Sequence, residues 1–161
     1  MRTPRDPDKG ILVLGLGNPL RCDDGLGRRA IEMLAEKKLP DQVELIDGGT
    51  PGWGVASLLQ GRSRVILIDA ADMGLEPGMW GSYRMEEMSL VVNSGSISLH
   101  EPGLAESLAL CQALGTLPQD IVLFGVQPER TGEGIGLTPV VGAALPELVE
   151  NIFHELWNKR E

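Results

Sequence analysis

Three short apolar runs, each leading into glycine or aspartate, dominate the first half of the chain: Ile11 to Gly17, Val43 to Asp47 and Arg64 to Asp69. Ile11 to Gly17 is short and continuously apolar enough to read as a buried parallel strand. Val43 to Asp47 and Arg64 to Asp69, the latter rich in β-branched residues, read as second and third strands. Between the first two, Leu26, Ala30, Ile31, Leu34 and Ala35 recur at helical spacing within Gly25 to Leu39. Arg28, Arg29, Glu32, Lys37 and Lys38 separate them, which is the pattern of an amphipathic helix. After the Gly48 to Gly52 turn cluster, Trp53 to Gln60 supplies a short second helix. Strand and helix alternating in this way build an α/β fold around a largely parallel sheet.

The second half is less regular. Met79 to Met85 has strand character, but no helix precedes it to make a crossover, so antiparallel pairing is expected. Asn93 to Leu99 reads as a loop, Leu104 to Leu114 as a helix and Asp120 to Val126 as the last strand. Gln127 to Leu137 carries Gly132, Gly134 and Gly136 and reads as a mobile loop. Thr138 followed by Pro139 has the form of a helix N-cap with proline in the first turn. Leu148, Val149, Ile152, Phe153, Leu156 and Trp157 give the closing helix one apolar face, and Pro146 is expected to kink or divide it near Leu145. The expected architecture is a three-layer α/β sandwich: a twisted, mostly parallel five-stranded sheet, one strand antiparallel, with helices on both faces. No linker divides the chain, so residues 1–161 are expected to form one domain, with 1–9 a flexible lead-in.

At 161 residues and a net charge of −9, with 23 acidic against 14 basic side chains, the chain lacks the basic face that a nonspecific nucleic-acid binder needs. Cys22 and Cys111 stand far apart with no CxxC, which excludes a disulfide framework and a cysteine zinc site and favours a reducing compartment. Met1 to Gly10 has no apolar segment, and no apolar stretch approaches membrane-spanning length. A cytoplasmic protein without membrane insertion is expected.

In an open parallel sheet, ligands bind beyond the carboxyl ends of the strands. Asp23 and Asp24 follow the first strand, Asp47 ends the second, Asp69 ends the third and Asp72 comes three residues later. Carboxylates gathered on one edge repel unless a cation or proton relieves them. Each also has a plain alternative: Asp23 or Asp24 as the N-cap of the next helix, Asp47 as the start of its Gly-Gly turn. Of the two histidines, His154 falls on the polar face of the last helix near its C-terminus, where it suits the helix dipole. His100 follows a Ser/Gly loop that can bring it over the strand ends, and is the better ligand. Two carboxylates and an imidazole suit a borderline divalent cation with coordination positions left open. Gly15-Leu16-Gly17-Asn18-Pro19-Leu20 is not a dinucleotide fingerprint, because Leu20 takes the third glycine position and Pro19 removes a backbone donor.

Gly15-Leu16-Gly17-Asn18-Pro19-Leu20 through Asp23-Asp24-Gly25-Leu26-Gly27, Asp47-Gly48-Gly49-Thr50, Ile68-Asp69-Ala70 with Asp72-Met73-Gly74, Ser98-Leu99-His100 and Gly125-Val126-Gln127-Pro128 occur in this order. Together they resemble the nickel-iron hydrogenase maturation endopeptidases over nearly the whole chain. The resemblance implies a protease, of the aspartyl-type peptidase class, that removes the C-terminal extension of the hydrogenase large-subunit precursor once nickel is in place. It implies that Asp24, Asp69 and His100 contact the metal and that Asp47 lies beside the cleft. The nickel is then carried by the substrate, with weak or no metal in the isolated enzyme, which is expected to be a monomer. Under this reading the metal either activates water or only positions the substrate while a carboxylate such as Asp47 acts as base. Cys22, before the acid pair, is either a small packing group or a soft extra contact to nickel. Two alternatives stand beside this one. Peptidyl-tRNA hydrolases share the Gly-Leu-Gly-Asn-Pro opening, although the acids that follow suit tRNA badly. The other is a non-catalytic acidic module that binds a metal or a partner.

Overall fold

The computed structural model describes residues 9–50, 54–85, 98–99 and 104–158. Its strands are β1 (Ile11–Leu16), β2 (Val43–Gly49), β3 (Arg64–Asp72), β4 (Trp80–Arg84), β5 (Ser98–Leu99) and β6 (Asp120–Val126). Its helices are a 3-10 turn (Cys22–Gly25), α1 (Leu26–Ala35), α2 (Gly54–Leu59), α3 (Leu104–Leu114) and α4 (Pro139–Trp157).

Five strands lie in the order β2-β1-β3-β6-β4. The first four are mutually parallel, and β4 runs antiparallel along β6 from Trp80 opposite Val126 to Arg84 opposite Val122. The expected mostly parallel sheet with one antiparallel strand is therefore what the chain forms. β3, at the centre, is buried at every position from Arg64 to Ala71, which explains the apolar run Val65 to Ile68 within it.

Alternation along the strands sends one set of side chains to each face. Val13, Ile66, Ile68 and Phe124 join α1 and α4 in one core, where Leu26, Ala30, Leu34, Val141, Leu145, Leu148 and Ile152 are buried. Leu12, Leu14, Val65, Leu67 and Leu123 join α2 and α3 in the other, with Leu59, Leu104 and Cys111. At the amino-terminal end of the sheet the buried Arg64 places Nε 3.0 Å from Asp120 Oδ2 and donates through Nη1 to the Glu155 carbonyl at 2.8 Å, tying β3 and β6 to the end of α4. Lys37, just past α1, pairs with Glu150 of α4, and the ammonium hydrogen-bonded to it holds the Glu150 carboxyl below its ordinary range.

Four local expectations are corrected. The 93–99 segment is not all loop, because Ser98 and Leu99 pair antiparallel with Asp72 and Ala71. β3 consequently continues past Asp69 to Asp72. Pro146 does not divide α4, which runs unbroken from Pro139 to Trp157, with Leu145 and Leu148 on either side of the proline both buried in the core. Thr138 occupies the N-cap of α4 but makes no side-chain capping bond, because its hydroxyl is committed elsewhere.

α1 lies directly on the strand ends. A Cβ on Gly27 would stand 2.4 Å from the Leu16 carbonyl oxygen, and one on Gly15 would stand 2.5 Å from the Gly27 carbonyl oxygen. Backbone meets backbone here, so no flexible side chain can yield. Gly27→Ala is expected to destabilise the protein by about 2 kcal/mol, the usual cost of overpacking. Urea unfolding should show this as a lower midpoint with an unchanged slope.

Candidate functional site

The chain leaves β1 for β2 on one side and later returns to β3 on the other, so the sheet has its topological switch point between β1 and β3. A cleft opens at the carboxyl ends of strands at such a point. The 3-10 turn that follows β1 packs against β3 at this edge. The candidate acids Asp24 and Asp69 sit on these two neighbouring elements.

Asp23 and Asp24 are adjacent in sequence but have different tasks. Neither caps a helix: the N-cap of α1 is Gly25, without a side-chain bond. Asp23 is completely buried. Its Oδ2 accepts from the Glu129 N–H at 2.9 Å and the Arg130 N–H at 3.0 Å, and its Oδ1 accepts from the Thr138 N–H at 2.7 Å. The Thr138 hydroxyl donates to the same carboxylate, 3.0 Å from Oδ1 and 2.9 Å from Oδ2.

Asp24 is 6% exposed. Its Oδ2 accepts from the Asn18 N–H at 2.8 Å, and its buried Oδ1 has no hydrogen-bond partner among the described residues. A buried carboxylate oxygen in that condition is costly unless something else meets it. Cys22, which starts the turn, has φ of 49°, an uncommon conformation for a residue with a side chain. Its thiol is buried and lies 3.8 Å from the Glu133 carbonyl oxygen.

Asp69 is completely buried and stands in register with Gly125 of β6. Asp72 accepts from the Gly74 N–H at 3.2 Å and from Gln127 Nε2 at 3.3 Å. Asp47 is in register with Gly15, which is itself in register with Ile68, so Asp47 shares the α1 face with Ile68 while Asp69 points to the other. Its Oδ1 accepts from the Gly49 N–H at 3.2 Å and its Oδ2 lies 3.7 Å from Arg28 Nε. The turn-forming alternative for Asp47 is thus realised in its contacts.

His100 lies outside the described residues; Leu99, the residue before it, is paired with Ala71, two residues beyond Asp69. His154 is a surface residue, 3.8 Å from Glu150. Among the described residues, no three His, Cys, Asp or Glu side chains are grouped closely enough to hold a metal ion by themselves.

The 127–137 segment, whose glycines read as a mobile loop, is tied at 130–134 to the turn after β1. Cys22 N–H donates to the Gly134 carbonyl at 2.8 Å, Gly134 N–H to Leu20 at 3.0 Å and Asp23 N–H to Arg130 at 2.9 Å. Arg21 Nε adds a bond to the Thr131 carbonyl at 3.0 Å. Gly134 is glycine because its φ is 149° and a Cβ there would stand 2.8 Å from the Cys22 sulfur. Close approach, not mobility, is what this glycine provides.

Sequence reasoning missed Gln127, whose buried Oε1 accepts from the Met73 N–H at 2.7 Å and the Leu75 N–H at 3.3 Å. It also missed the Asp23–Thr138 pairing. Partners 52 to 115 residues apart leave no periodic signal, and only the Gly-Val-Gln-Pro motif marked the region. A groove of about 700 Å³ between α1, α4 and the 135–137 segment is bordered by Cys22 and Gly25, but none of Asp24, Asp47 and Asp69 lines it.

A three-layer α/β sheet with buried acids at its switch point is a frame shared by many binding proteins and enzymes, and comparison with known proteins narrows it. The family model described as hydrogenase maturation protease matches residues 28–155. The hydrogenase expression/formation protein HupD of Bradyrhizobium diazoefficiens is 40% identical over 136 residues, which is 83% of this chain and 71% of that protein. The hydrogenase 2 maturation protease of Escherichia coli is 37% identical over 148 residues, 91% of this chain and 90% of that one. The structure of the hydrogenase maturating endopeptidase HybD from E. coli superposes with a TM-score of 0.81 at 35% identity, covering 91% of both chains. The chain belongs to the hydrogenase maturation protease family and is an endopeptidase of that family. The match extends far beyond the Gly-Leu-Gly-Asn-Pro opening that had kept peptidyl-tRNA hydrolase in view. Among the described residues, no helix is long and apolar enough to cross a membrane.

The two adjacent acids are separable by stability. Asp23→Asn sets an amide NH2 against backbone N–H donors whichever way it is turned, and should cost on the order of 3 kcal/mol. Asp24→Asn keeps the acceptor for Asn18 and should change stability by less than about 1 kcal/mol. Equilibrium unfolding of the two variants checks this; the reverse order would reassign their roles.

Proposed function

We propose that this endopeptidase removes the C-terminal extension of a nickel-iron hydrogenase large-subunit precursor after nickel insertion, and that Asp24, Asp69 and His100 sense the nickel the precursor carries. The observation that carries the proposal is the buried Asp24 Oδ1 left without a hydrogen-bond partner among the described residues, at the edge where Asp69 is also buried. A carboxylate with one oxygen fixed by the Asn18 N–H and the other free of hydrogen bonds is held in one orientation and keeps a lone pair available. The antiparallel pairing of Leu99 with Ala71 brings the chain leading into His100 to the end of the same strand.

Two carboxylates and an imidazole are an incomplete shell for a borderline divalent ion. Thiolates of the precursor complete it, so productive binding requires substrate and metal together. Nickel held in this way would supply either Lewis-acid activation at the bond to be cut or a handle that only positions the precursor while a carboxylate such as Asp47 acts as base. Asp24 and Asp69 orient the precursor through it. The precursor is the partner; no nickel needs to remain with the free enzyme.

Incubation with nickel-loaded and nickel-free precursor, followed by mass measurement of the large subunit, tests the reading. Loss of the extension only from the loaded form is expected, and equal cleavage of both forms would refute nickel sensing while leaving the endopeptidase intact.

The site residues have their own test. His100→Ala should abolish processing with little change in melting temperature, whereas His154→Ala should remain active. Calorimetry should show the Asp24→Ala, Asp69→Ala double variant at least tenfold weaker for nickel or cadmium. Unaltered metal affinity in the double variant would remove these acids from the site.

A further inference from the structure

Both sides of the cleft are held by one short piece of chain. On leaving β6, Gln127 turns its buried side chain toward the end of β3, where Oε1 accepts from the Met73 and Leu75 N–H groups and Nε2 donates to Asp72 Oδ1. Its main chain is fixed as well: Gly78 N–H donates to the Gln127 carbonyl at 2.9 Å and Gln127 N–H to the Met79 carbonyl at 2.8 Å. Two residues later the Glu129 and Arg130 N–H groups turn the opposite way, onto the Asp23 carboxylate beside Asp24. Thr138 closes the far end of the loop on the same carboxylate. Asp72, held by Gln127, is also the residue that pairs with Ser98 of β5, the strand leading to His100.

We propose that Asp23 and Gln127 are positioning residues that, through the 127–130 segment between them, set the separation of the Asp24-bearing turn from the end of β3 that carries Asp69. This inference rests on the nickel-sensing reading for its function, and it assigns work to residues outside the ligand set. The chemistry of the two side chains fits the task. Asp23 meets only donors, which requires an acceptor at both oxygens and hence a carboxylate. Gln127 meets two donors on one side and an acceptor on the other, which requires an amide. A buried group so fully matched to its neighbours permits one geometry, and a metal bound by side chains on two elements needs their spacing held to a fraction of an ångström. Second-layer hydrogen bonding of this kind typically changes metal affinity by ten- to a hundredfold.

The test measures nickel and cadmium affinity of the full chain by calorimetry, at a temperature where circular dichroism shows each variant folded. Asp23→Asn and Gln127→Met should each bind metal at least tenfold more weakly than wild type. Thr138→Val should lose part of the affinity, and Thr138→Ser, which keeps the hydroxyl, should restore it. Leu156→Ala provides the control for stability alone: the residue is buried in the core beside Glu155, which binds Arg64 at the opposite end of the sheet. It should lower the melting temperature without moving the metal affinity. If Asp23→Asn is unfolded at every usable temperature, Gln127→Met and the Thr138 pair decide. Wild-type affinity in the folded variants would overturn the positioning role. If wild type itself binds neither metal without the precursor's thiolates, the nickel reading is judged separately, by cleavage of nickel-loaded against nickel-free precursor. Precursor cleavage then decides the positioning role: kcat reduced tenfold with KM unchanged sustains it, and unchanged kcat overturns it.

Discussion

The Asp23 carboxylate is the interaction on which the functional edge depends. A charge taken fully out of water is tolerated only when hydrogen bonds replace its hydration, and here three backbone N–H groups and a hydroxyl do so. Those donors come from the two ends of the segment between β6 and α4, more than one hundred residues along the chain. Folding of the β1–α1 connection is thereby made conditional on folding of the carboxy-terminal third. The left-handed conformation of Cys22 is a local cost that this anchoring offsets.

With Asp23 committed to structure, its neighbour is released from it. Asp24 is carried on the same turn but receives one backbone N–H, and its second oxygen is buried with no hydrogen bond among the described residues. Consecutive acids can divide labour in this way because a 3-10 turn points adjacent side chains in different directions, one into the loop packing and one to the strand edge. The same turn in a chain lacking the 127–138 anchor would leave both acids free to seek solvent, and neither would be held at the edge of β3.

Much of the fold was legible because it rests on burial. β3 is apolar from Val65 to Ile68 since both faces are covered, and α1 shows its stripe since one side is not. Even the antiparallel strand was readable, because too few residues separate β3 from β4 to carry a crossover helix. What escaped was decided by single polar atoms. β5 is two residues long and pairs only through its backbone. The glycines of 127–137 looked like a signal of mobility, while Gly134 is a packing requirement imposed by a cysteine in a distant segment. Asp24, Asp47 and Asp69 could be nominated from strand ends, but their orientations could not, since these follow from register: Gly15 sits opposite both Asp47 and Ile68, which sends Asp47 to the α1 face and Asp69 to the other.

If Asp24, Asp69 and His100 sense nickel as proposed, an incomplete ligand set also explains why a firmly held edge is useful to a protease that acts once per substrate. A complete metal cage inside the enzyme would load with metal regardless of the precursor and would say nothing about its maturity. On the proposed nickel-sensing reading, two acids and a histidine would bind weakly alone, so specificity would come from the free energy gained only when precursor thiolates supply the remaining positions. That gain is large only if the enzyme's share of the shell is already in place, because reorganising the acids at the moment of binding would consume it. The hydrogen bonds of Asp23 and Gln127 fix that share during folding, before any substrate arrives. On that reading, rigidity behind the ligands and openness in front of them are two parts of one requirement: a peptide bond of ordinary reactivity would be cut only when the metal beside it is present.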